Sequence, residues 1–204
     1  MADDATLAAA DLKLAAGILP SQEMDAAIAS GVITAVNPIP GGQVQPASID
    51  LRLGTVAYRV RASFLPGSQA TVDEKLKAFT MHAIDLSQGA VLEKGCVYIV
   101  PLQESLNLTP ETSGMANPKS STGRLDIFTR VITDGALEFD RIEAGYKGPL
   151  YAEISPLTFS VLVRTGSRLS QLRLRRGQFD IADGVAFTID LTGFKVTGQQ
   201  DKIV

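Results

Sequence analysis

Hydrophobic and polar residues alternate along much of this chain, and a period of two is typical of β-strands. The clearest example is 48-SIDLRLGTVAYRVRASF-64, where Ile49 and Leu51 fall on one face and Asp50 and Arg52 on the other. This run predicts a half-buried strand. Further runs of strand character are short and separated by turn residues: 90–101, 125–133, 149–155, 158–164, 168–176 and 184–191. Strands therefore dominate the prediction.

Two segments instead have a helical pattern. In 20-PSQEMDAAIASG-31, Ser21 is a candidate N-cap and apolar residues recur on one face. In 71-TVDEKLKAF-79, Thr71 and Glu74 have the spacing of a capping box. Both segments predict short helices.

Glycine and proline residues punctuate the strand candidates. This favours an all-β fold, a barrel or sandwich with a few short helices, over alternating βαβ units. The 204 residues fit one domain, with no internal repeat and no low-complexity linker. Residues 1–17 offer little apolar surface and are expected to form a loosely ordered N-terminal extension. Residues 18–204 are expected to form a single β domain.

Charge and composition limit the partners. The chain has 19 Lys and Arg residues against 22 Asp and Glu residues, and the cations are scattered. Scattered cations predict neither a basic surface that would bind nucleic acid nor a polybasic patch that would bind a membrane. A small-molecule partner is therefore expected. No apolar run reaches the roughly 18 residues of a membrane span. The single cysteine and the lack of a secretory signal predict a cytoplasmic protein.

Several kinds of catalytic site are disfavoured by residues that the chain lacks. A zinc site needs three or four Cys, His or carboxylate ligands, whereas the chain has one cysteine, Cys96, and one histidine, His82. The zinc deaminase signature, H-x-E followed by P-C-x-x-C, is absent. A Ser-His-Asp triad would have to use His82, but the sequence around His82 is more typical of a structural or surface histidine. Cys96 is expected to be a buried, inert thiol.

A compact polar segment, 117-NPKSSTGRLDIFTR-130, leads into one of the strand candidates. It combines two cations, three hydroxyl residues and a glycine: Lys119, Arg124, Ser120, Ser121, Thr122 and Gly123. Phosphate groups are bound by cations, by hydroxyl and backbone donors, and by backbone that an anion can approach closely. The Walker pattern is missing, and a polar turn without a ligand is the alternative interpretation.

A second candidate is Glu153 in 141-RIEAGYKGPLYAEIS-155, where the residues from Leu150 to Ile154 are otherwise uncharged and mostly apolar. Burial among such neighbours disfavours the charged form of a carboxylate, which suits a general base or acid near neutral pH. The alternative is that Glu153 points outward from an alternating strand. Glu143 is more typical of a solvated turn carboxylate.

Four segments occur in an informative order: 45-QPASIDLRLG-54, 119-KSSTGR-124, 142-IEAGYKGPLYAE-153 and 165-TGSRLSQLRL-174. Together they resemble the dCTP deaminase branch of the dCTP deaminase/dUTPase family, over about residues 18–176. The resemblance implies a distorted jelly-roll or barrel-like β subunit and a homotrimer with active sites at the subunit interfaces. It also implies a dCTP or dUTP nucleotide as the partner, Mg²⁺ bound through the triphosphate rather than directly by the protein, and deamination without zinc.

The resemblance implies roles for individual residues. Glu153 would take a proton from water as the water attacks C4 of cytosine, and would then return protons to the ring and to the departing ammonia. Ser120 and Arg124 would join it in catalysis. The implied nucleotide-binding positions are, for the phosphates, Lys119, Ser120, Ser121, Thr122 and Gly123; for the phosphates or the pocket around the base, Arg124; for the pyrimidine edge, Thr133 and Asp134; for the deoxyribose, Glu143; for the base, through their backbone, Tyr151 and Ala152; and, in the last segment, Gln171.

Two features depart from the family pattern. The region 134-DGALEFD-140 carries several residues more than compact bacterial members, and the family's C-terminal arm has no clear counterpart before Val204. Some members are longer and contain two related halves, and one interpretation is that this chain is the first half of such a protein.

Other functions are compatible with the same resemblance. A dUTP diphosphatase or a bifunctional enzyme would use Glu143 or Asp140 to direct water at the α-phosphate. A catalytically silent family member would bind nucleotide only. The position of Glu153 directly after 149-PLYA-152 favours deamination.

Overall fold

The structure, a computed structural model, describes residues 16–177. The predicted strand at 184–191 and the region of the C-terminal arm lie outside the described residues. The N-terminal extension predicted over 1–17 lies outside them too, apart from its last two residues.

Fourteen strands make up most of the regular structure of residues 16–177. In chain order they are β1 (Gly17–Ile18), β2 (Ile33–Ala35), β3 (Val44–Gln45), β4 (Ser48–Arg52), β5 (Val56–Val60), β6 (Thr80–Asp85), β7 (Ala90–Leu92), β8 (Val97–Asn107), β9 (Thr112–Pro118), β10 (Ile127–Thr133), β11 (Arg141–Ile142), β12 (Lys147–Pro156), β13 (Val161–Val163) and β14 (Arg168–Arg176). The predicted mainly β fold with a few short helices is confirmed.

The strands form two large antiparallel sheets and one small one. The first sheet has the order β11-β9-β14-β4-β3, and β1 pairs with the end of β14. The second has the order β10-β12-β8-β5-β6, and β2 pairs with β8. Strands β7 and β13 pair separately. The strands that carry the candidate residues, β4, β9, β10, β12 and β14, are therefore divided between the two large sheets.

Three helices accompany the strands: α1 (Ser21–Ala29), α2 (Val72–Phe79) and α3 (Ser120–Arg124). The capping box of α2 is confirmed, since Glu74 N donates to Thr71 Oγ1 and Thr71 N donates to Glu74 Oε2. The predicted N-cap of α1 is wrong: Pro20, with extended backbone angles, caps the helix, and Ser21 is its first residue. The Ser21 hydroxyl donates to the side chain of Gln22 instead of capping backbone N–H groups. None of the helices in residues 16–177 could cross a membrane, because none is both long and apolar enough.

The main hydrophobic cluster joins the two large sheets. It includes Ile49 and Leu172 from the first sheet and Val100 and Ala152 from the second. Successive side chains of a strand point to opposite faces, so Ala152 enters this cluster while Tyr151 enters a second cluster that packs against α2. Because β12 is covered on both faces, every residue from 150 to 156 is buried.

The prediction that β4 is only half-buried is wrong. Asp50 and Arg52 are 2 % and 6 % exposed, although they alternate with the apolar residues of the strand. Each is buried with a partner of opposite charge: Lys119 pairs with Asp50, and Arg52 Nε donates to Glu104 Oε1 at 2.7 Å. A buried charge is tolerated when it is paired and hydrogen-bonded, so alternation in this strand marks two buried faces.

Candidate functional site

The cation-and-hydroxyl segment forms the short helix α3, which connects β9 to β10. The sequence predicted a polar, candidate phosphate-binding segment before a strand here, but no helix. Ser120, Ser121, Gly123 and Arg124 are exposed, whereas Thr122 is buried at 3 % exposure. The exposed face therefore presents two hydroxyls and a guanidinium to solvent, and the side chain of Thr122 packs beneath them.

Lys119 lies directly before α3 and is tied to the first sheet. Its Nζ donates to Asp50 Oδ2, and its backbone N donates to Leu169 O at 2.9 Å. The other oxygen, Asp50 Oδ1, is buried and has no hydrogen-bond partner within residues 16–177. Arg168 Nη1 lies 3.8 Å from Asp50 Oδ2. The side chain of Lys119 is therefore oriented by a buried carboxylate that the sequence did not single out.

Gln171 lies beside this ion pair. In the first sheet it is the register partner of Asp50 on β4 and of Asn117 on β9. Its Oε1 accepts a hydrogen bond from Ser48 Oγ at 3.3 Å. The structure thus brings together Lys119 and Gln171, two of the nucleotide-binding candidates, through three adjacent strands.

A cleft of about 380 Å³ opens at the end of β10. Its lining includes three candidates from the sequence, Thr133, Asp134 and Glu143. Glu143 is solvated, as its sequence context indicated, with its side chain 73 % exposed and 2.9 Å from Arg141 Nε. The cleft is also lined by Gly135, Ala136, Leu137, Glu138, Arg141 and Tyr146.

Two residues of the cleft are fixed by the fold. Asp134 Oδ1 accepts a hydrogen bond from Val72 N at the start of α2, at 2.7 Å, and Asp134 N donates to Tyr146 Oη at 3.2 Å. Tyr146 Oη in turn donates to Pro149 O at 2.7 Å. Burial raises the pKa of Asp134, and burial raises the pKa of Tyr146 to about 12. Tyr146 therefore stays protonated at neutral pH and holds the wall of the cleft in place.

Glu153 is buried in the middle of β12, at 2 % exposure. The alternative in which it points outward into solvent is therefore wrong. Its register partner on β10 is Arg130, whose Nε donates to Glu153 Oε1 at 3.1 Å and whose Nη2 donates to the same oxygen. The second oxygen, Oε2, is buried and accepts no hydrogen bond from any residue that the structure describes. Glu153 thus offers one engaged and one unengaged carboxylate oxygen.

Tyr151 and Ala152 lie inside the second sheet, with β10 on one side of their strand and β8 on the other. Their backbone groups are therefore surrounded by neighbouring strands, and their predicted role at the base stays a prediction. The hydroxyl of Tyr151 donates to Asp73 Oδ1 at 3.1 Å, and burial raises the pKa of Tyr151.

His82 and Cys96, on which a Ser-His-Asp triad or a zinc site would depend, lie away from the other candidate residues. His82 is exposed on β6, as predicted for a surface histidine. Cys96 is half-buried, not buried as predicted, because it lies in the turn before β8, and its Sγ accepts a hydrogen bond from Arg59 Nη2 at 2.9 Å. Across residues 16–177, no three His, Cys, Asp or Glu side chains converge as metal ligands.

The candidates thus form three groups in one chain: the α3 segment with Gln171, the cleft, and buried Glu153. The cleft is lined neither by Glu153 nor by any residue of 119–124. Asp50, Arg130 and Tyr146 were not among the candidates predicted from the sequence. An Asp within a strand of apolar residues was a usable signal, whereas the pairing of Arg130 with Glu153 depends on the register of two strands.

Comparison with known proteins adds an independent finding. The family model of the 2'-deoxycytidine 5'-triphosphate deaminase N-terminal domain matches residues 15–178. The chain is 32% identical over 132 residues to a dCTP deaminase of Halorubrum lacusprofundi, covering 64% of this chain and 62% of that protein. It is 26% identical over 156 residues to a dUMP-forming dCTP deaminase of Beutenbergia cavernae, covering 76% of this chain and 77% of that protein.

A solved structure is also similar. The crystal structure of 2'-deoxycytidine 5'-triphosphate deaminase from Agrobacterium tumefaciens has 54% sequence identity and a TM-score of 0.79, covering 88% of this chain. The chain spans 60% of that structure and 62% of the Halorubrum protein, less than two thirds of either.

Proposed function

Because this chain belongs to the family of the 2'-deoxycytidine 5'-triphosphate deaminase N-terminal domain, we propose that it deaminates dCTP to dUTP and ammonia without zinc. The observation that carries the proposal is the buried carboxylate of Glu153, with one oxygen unengaged, on a central strand of the matched region. A carboxylate sheltered from water within reach of a substrate is suited to general acid–base catalysis.

In the proposed reaction, Glu153 is the group that moves protons. Its carboxylate takes a proton from water while the water oxygen bonds to C4 of cytosine, and it returns that proton to N3. It then moves the proton of the new C4 hydroxyl to the amino group, which leaves as ammonia when the carbonyl forms. General acid–base catalysis of this kind contributes about 10²–10⁴ in rate.

The triphosphate is assigned to the exposed face of α3. Ser120 and Ser121 offer hydroxyl donors, and Arg124 offers a guanidinium that makes no side-chain ion pair or hydrogen bond within the described part of the chain. Lys119 adds a second cation, which Asp50 orients. Guanidinium and ammonium groups bind phosphate oxygens through charge-assisted hydrogen bonds, so a mildly acidic chain can still bind a strongly anionic ligand here.

Mg²⁺ is implied by the family resemblance, and the residues present fit a metal held through the nucleotide. The ion takes oxygen ligands, keeps several waters and is commonly bound with substrate phosphates. The oxygens near α3, which are the exposed hydroxyls of Ser120 and Ser121 and the unpartnered Oδ1 of buried Asp50, would accept hydrogen bonds from the waters of such an ion. When bound, the ion would neutralise part of the triphosphate charge.

The nucleoside is assigned to the cleft of Thr133, Asp134 and Glu143. Its volume of about 380 Å³ lies within the range of small-molecule sites, roughly 300–1,000 Å³. Because neither Glu153 nor residues 119–124 line this cleft in one chain, we assign complete active sites to the interfaces of a homotrimer, where neighbouring subunits supply the missing group. The cytoplasmic location expected from the sequence stays a prediction.

A second candidate function is a bifunctional enzyme that also releases pyrophosphate and forms dUMP. The observation that favours it is the similarity to the Beutenbergia protein, whose name is dUMP-forming. Glu143, exposed and lining the cleft, is the stronger candidate for directing water at the α-phosphate. Asp140 is less suitable, because its Oδ1 already accepts a hydrogen bond from Val131 N at 2.7 Å and burial raises its pKa.

One assay separates these functions. The chain is incubated with dCTP and Mg²⁺, and ammonia, dUTP and pyrophosphate are measured together. Equal amounts of ammonia and dUTP with no pyrophosphate support deamination alone. Ammonia with pyrophosphate supports the bifunctional enzyme. If no product forms while equilibrium titration shows that dCTP binds, the result supports a catalytically silent member and contradicts the proposal.

The glycine of α3 provides a test of the phosphate assignment. A Cβ at Gly123 would meet no heavy atom within 4 Å, so packing within the chain does not require glycine. We expect Gly123→Ala to keep or raise the melting temperature, since alanine favours a helix by about 0.5–1 kcal/mol. We expect it to weaken dCTP binding, because the methyl group would stand where backbone approaches an anion.

The measurements are thermal unfolding and equilibrium titration with dCTP. Gly41→Ala is the matched control, because a Cβ there also meets open space, and it should change neither quantity. Unchanged dCTP affinity in Gly123→Ala would argue against phosphate binding at this segment.

A further inference from the structure

Arg130 holds Glu153 by one oxygen only. The two residues are opposite each other in the β10–β12 register, and both Nε and Nη2 of Arg130 donate to Glu153 Oε1. A guanidinium commonly grips a carboxylate with one donor on each oxygen. Here both donors meet the same oxygen, and the buried Oε2 accepts no hydrogen bond from residues 16–177. The contact therefore distinguishes two otherwise equivalent atoms.

Arg130 is itself held by two other segments and by Phe128 on its own strand, β10. Its guanidinium lies 3.4 Å from the ring centroid of Phe139 and 4.8 Å from that of Phe128. Its Nη2 also donates to Ser63 Oγ at 3.0 Å. Arginine loses much rotamer freedom when it is ordered, so contacts with two aromatic rings and a hydroxyl indicate a fixed position rather than an incidental surface pair.

The contact is selective between two carboxylates, that of buried Glu153 and that of half-buried Asp140. Asp140 also lies close enough to Arg130 to interact electrostatically, yet its Oδ1 accepts from Val131 N. Within residues 16–177, Glu153 is the only carboxylate that accepts a hydrogen bond from Arg130. Phe139 and Asp140 both belong to the region 134–140, so this region lies against the pair on one side.

We propose that Arg130 is a positioning residue for the deamination: it fixes the carboxylate of Glu153 through Oε1 and thereby assigns the proton transfers to Oε2. The inference rests on the proposed function. In each cycle the O–H bond of water breaks, its proton goes to Oε2 and the hydroxide oxygen bonds to C4. The proton passes to N3. Oε2 then takes the hydroxyl proton from the adduct and gives it to the amino group as the C4–N bond breaks, which leaves dUTP, ammonia and the original carboxylate.

The test compares Arg130→Gln and Arg130→Lys with the parent chain. The rate of ammonia release and the equilibrium affinity for dUTP, the product, are measured for each. Misplacing a reacting group by about 1 Å costs about 10²-fold in rate, so Arg130→Gln should lower kcat by about that factor. Its dUTP affinity should stay within a few fold. Arg130→Lys keeps a cation that can reach Oε1 and should recover part of the lost kcat.

This pattern separates positioning from a purely structural role. Arg130→Gln leaves Glu153 without its cation, so its melting temperature is measured and the assay run well below it. The double variant Arg130→Gln/Glu153→Gln, which removes the unpaired charge, reports whether the site still folds and binds dUTP. If Arg130→Gln does not fold, the lysine variant is the test, and it should lower kcat with unchanged dUTP affinity.

Several outcomes would overturn the inference. Parental kcat in Arg130→Gln, or in Arg130→Lys where only that variant folds, would show that Arg130 does not position the base. Equal losses of kcat and dUTP affinity would show a structural or nucleotide-binding role. The proposed function fails separately: turnover in Glu153→Gln would remove the base itself, whereas an inactive Glu153→Gln beside a fully active Arg130→Gln would overturn only the role of Arg130.

Discussion

Glu153→Gln is expected to abolish ammonia release from dCTP while leaving nucleotide affinity within a few fold. The amide keeps the shape of the side chain and can still accept a hydrogen bond from Arg130, but it cannot take a proton from water. Loss of general acid–base catalysis alone lowers the rate by about 10²–10⁴, which places turnover near the detection limit of an ammonia assay. Single-turnover ammonia release and equilibrium titration with dCTP measure the two effects.

The matched control is Glu111→Gln, the same change at an exposed residue outside all three groups of the candidate site. It should keep full activity, which shows that loss of one negative charge is not itself the cause. If Glu153→Gln released ammonia at the parental rate, the acid–base role of Glu153 would be excluded.

Among the single substitutions proposed for this chain, Glu104→Gln is expected to lower the free energy of unfolding most. Glu104 is fully buried, and it accepts hydrogen bonds from Arg52 Nε at 2.7 Å, Arg52 N at 2.8 Å and Gln43 Nε2 at 2.7 Å. Neutralising it leaves the guanidinium of Arg52, only 6 % exposed, without its anion. Removing one partner of a buried ion pair costs about 3–5 kcal/mol, and chemical denaturation measures the free energy of unfolding.

The control for this prediction is Glu138→Gln. Glu138 lies 3.5 Å from Arg141, and both side chains are more than half exposed, so the loss should be below about 1 kcal/mol. Replacing both buried partners by apolar residues, Arg52→Met with Glu104→Leu, should recover part of the stability, because no unpaired charge remains. A loss in Glu104→Gln no greater than in Glu138→Gln would contradict the account of this ion pair.

Local patterns were sufficient to predict much of the secondary structure. The period of two located the strands that became β4, β8, β10, β12 and β14, and the spacing of Thr71 and Glu74 predicted the start of α2. These features depend on neighbours within a few residues, where sequence spacing directly sets geometry. The apolar surroundings of Glu153 left two interpretations, a buried carboxylate or one that points outward, and the structure has the buried one.

Long-range pairing could not be predicted in the same way. The alternating pattern predicted Asp50 on a polar face. Its partner, Lys119, is 69 residues away in the chain, so the pattern around Asp50 could not show that the two residues pair. Arg52 meets Glu104 across 52 residues, and Arg130 meets Glu153 across 23. Each pairing depends on strand order and register, and a shift of one residue would exchange the two faces of a strand.

Helix α3 was missed for a different reason. Its five residues are too few to show helical periodicity, and they include Gly123, a weak helix former. The turn is closed by backbone contacts, in which Gly123 N donates to Lys119 O at 3.0 Å and Asp126 N donates to Gly123 O at 3.0 Å. Asp126 then adopts a left-handed conformation, with φ 55°, that ends the helix before β10.

Deamination of dCTP in ¹⁸O-labelled water tests the central claim most directly, because it follows the oxygen that Glu153 is proposed to activate. Mass spectrometry of the products should find one labelled oxygen at C4 of the uracil ring for each ammonia released, no label in the phosphates, and no labelled base with Glu153→Gln. A uracil ring without label, or label that enters the α-phosphate while no ammonia is released, would contradict the account.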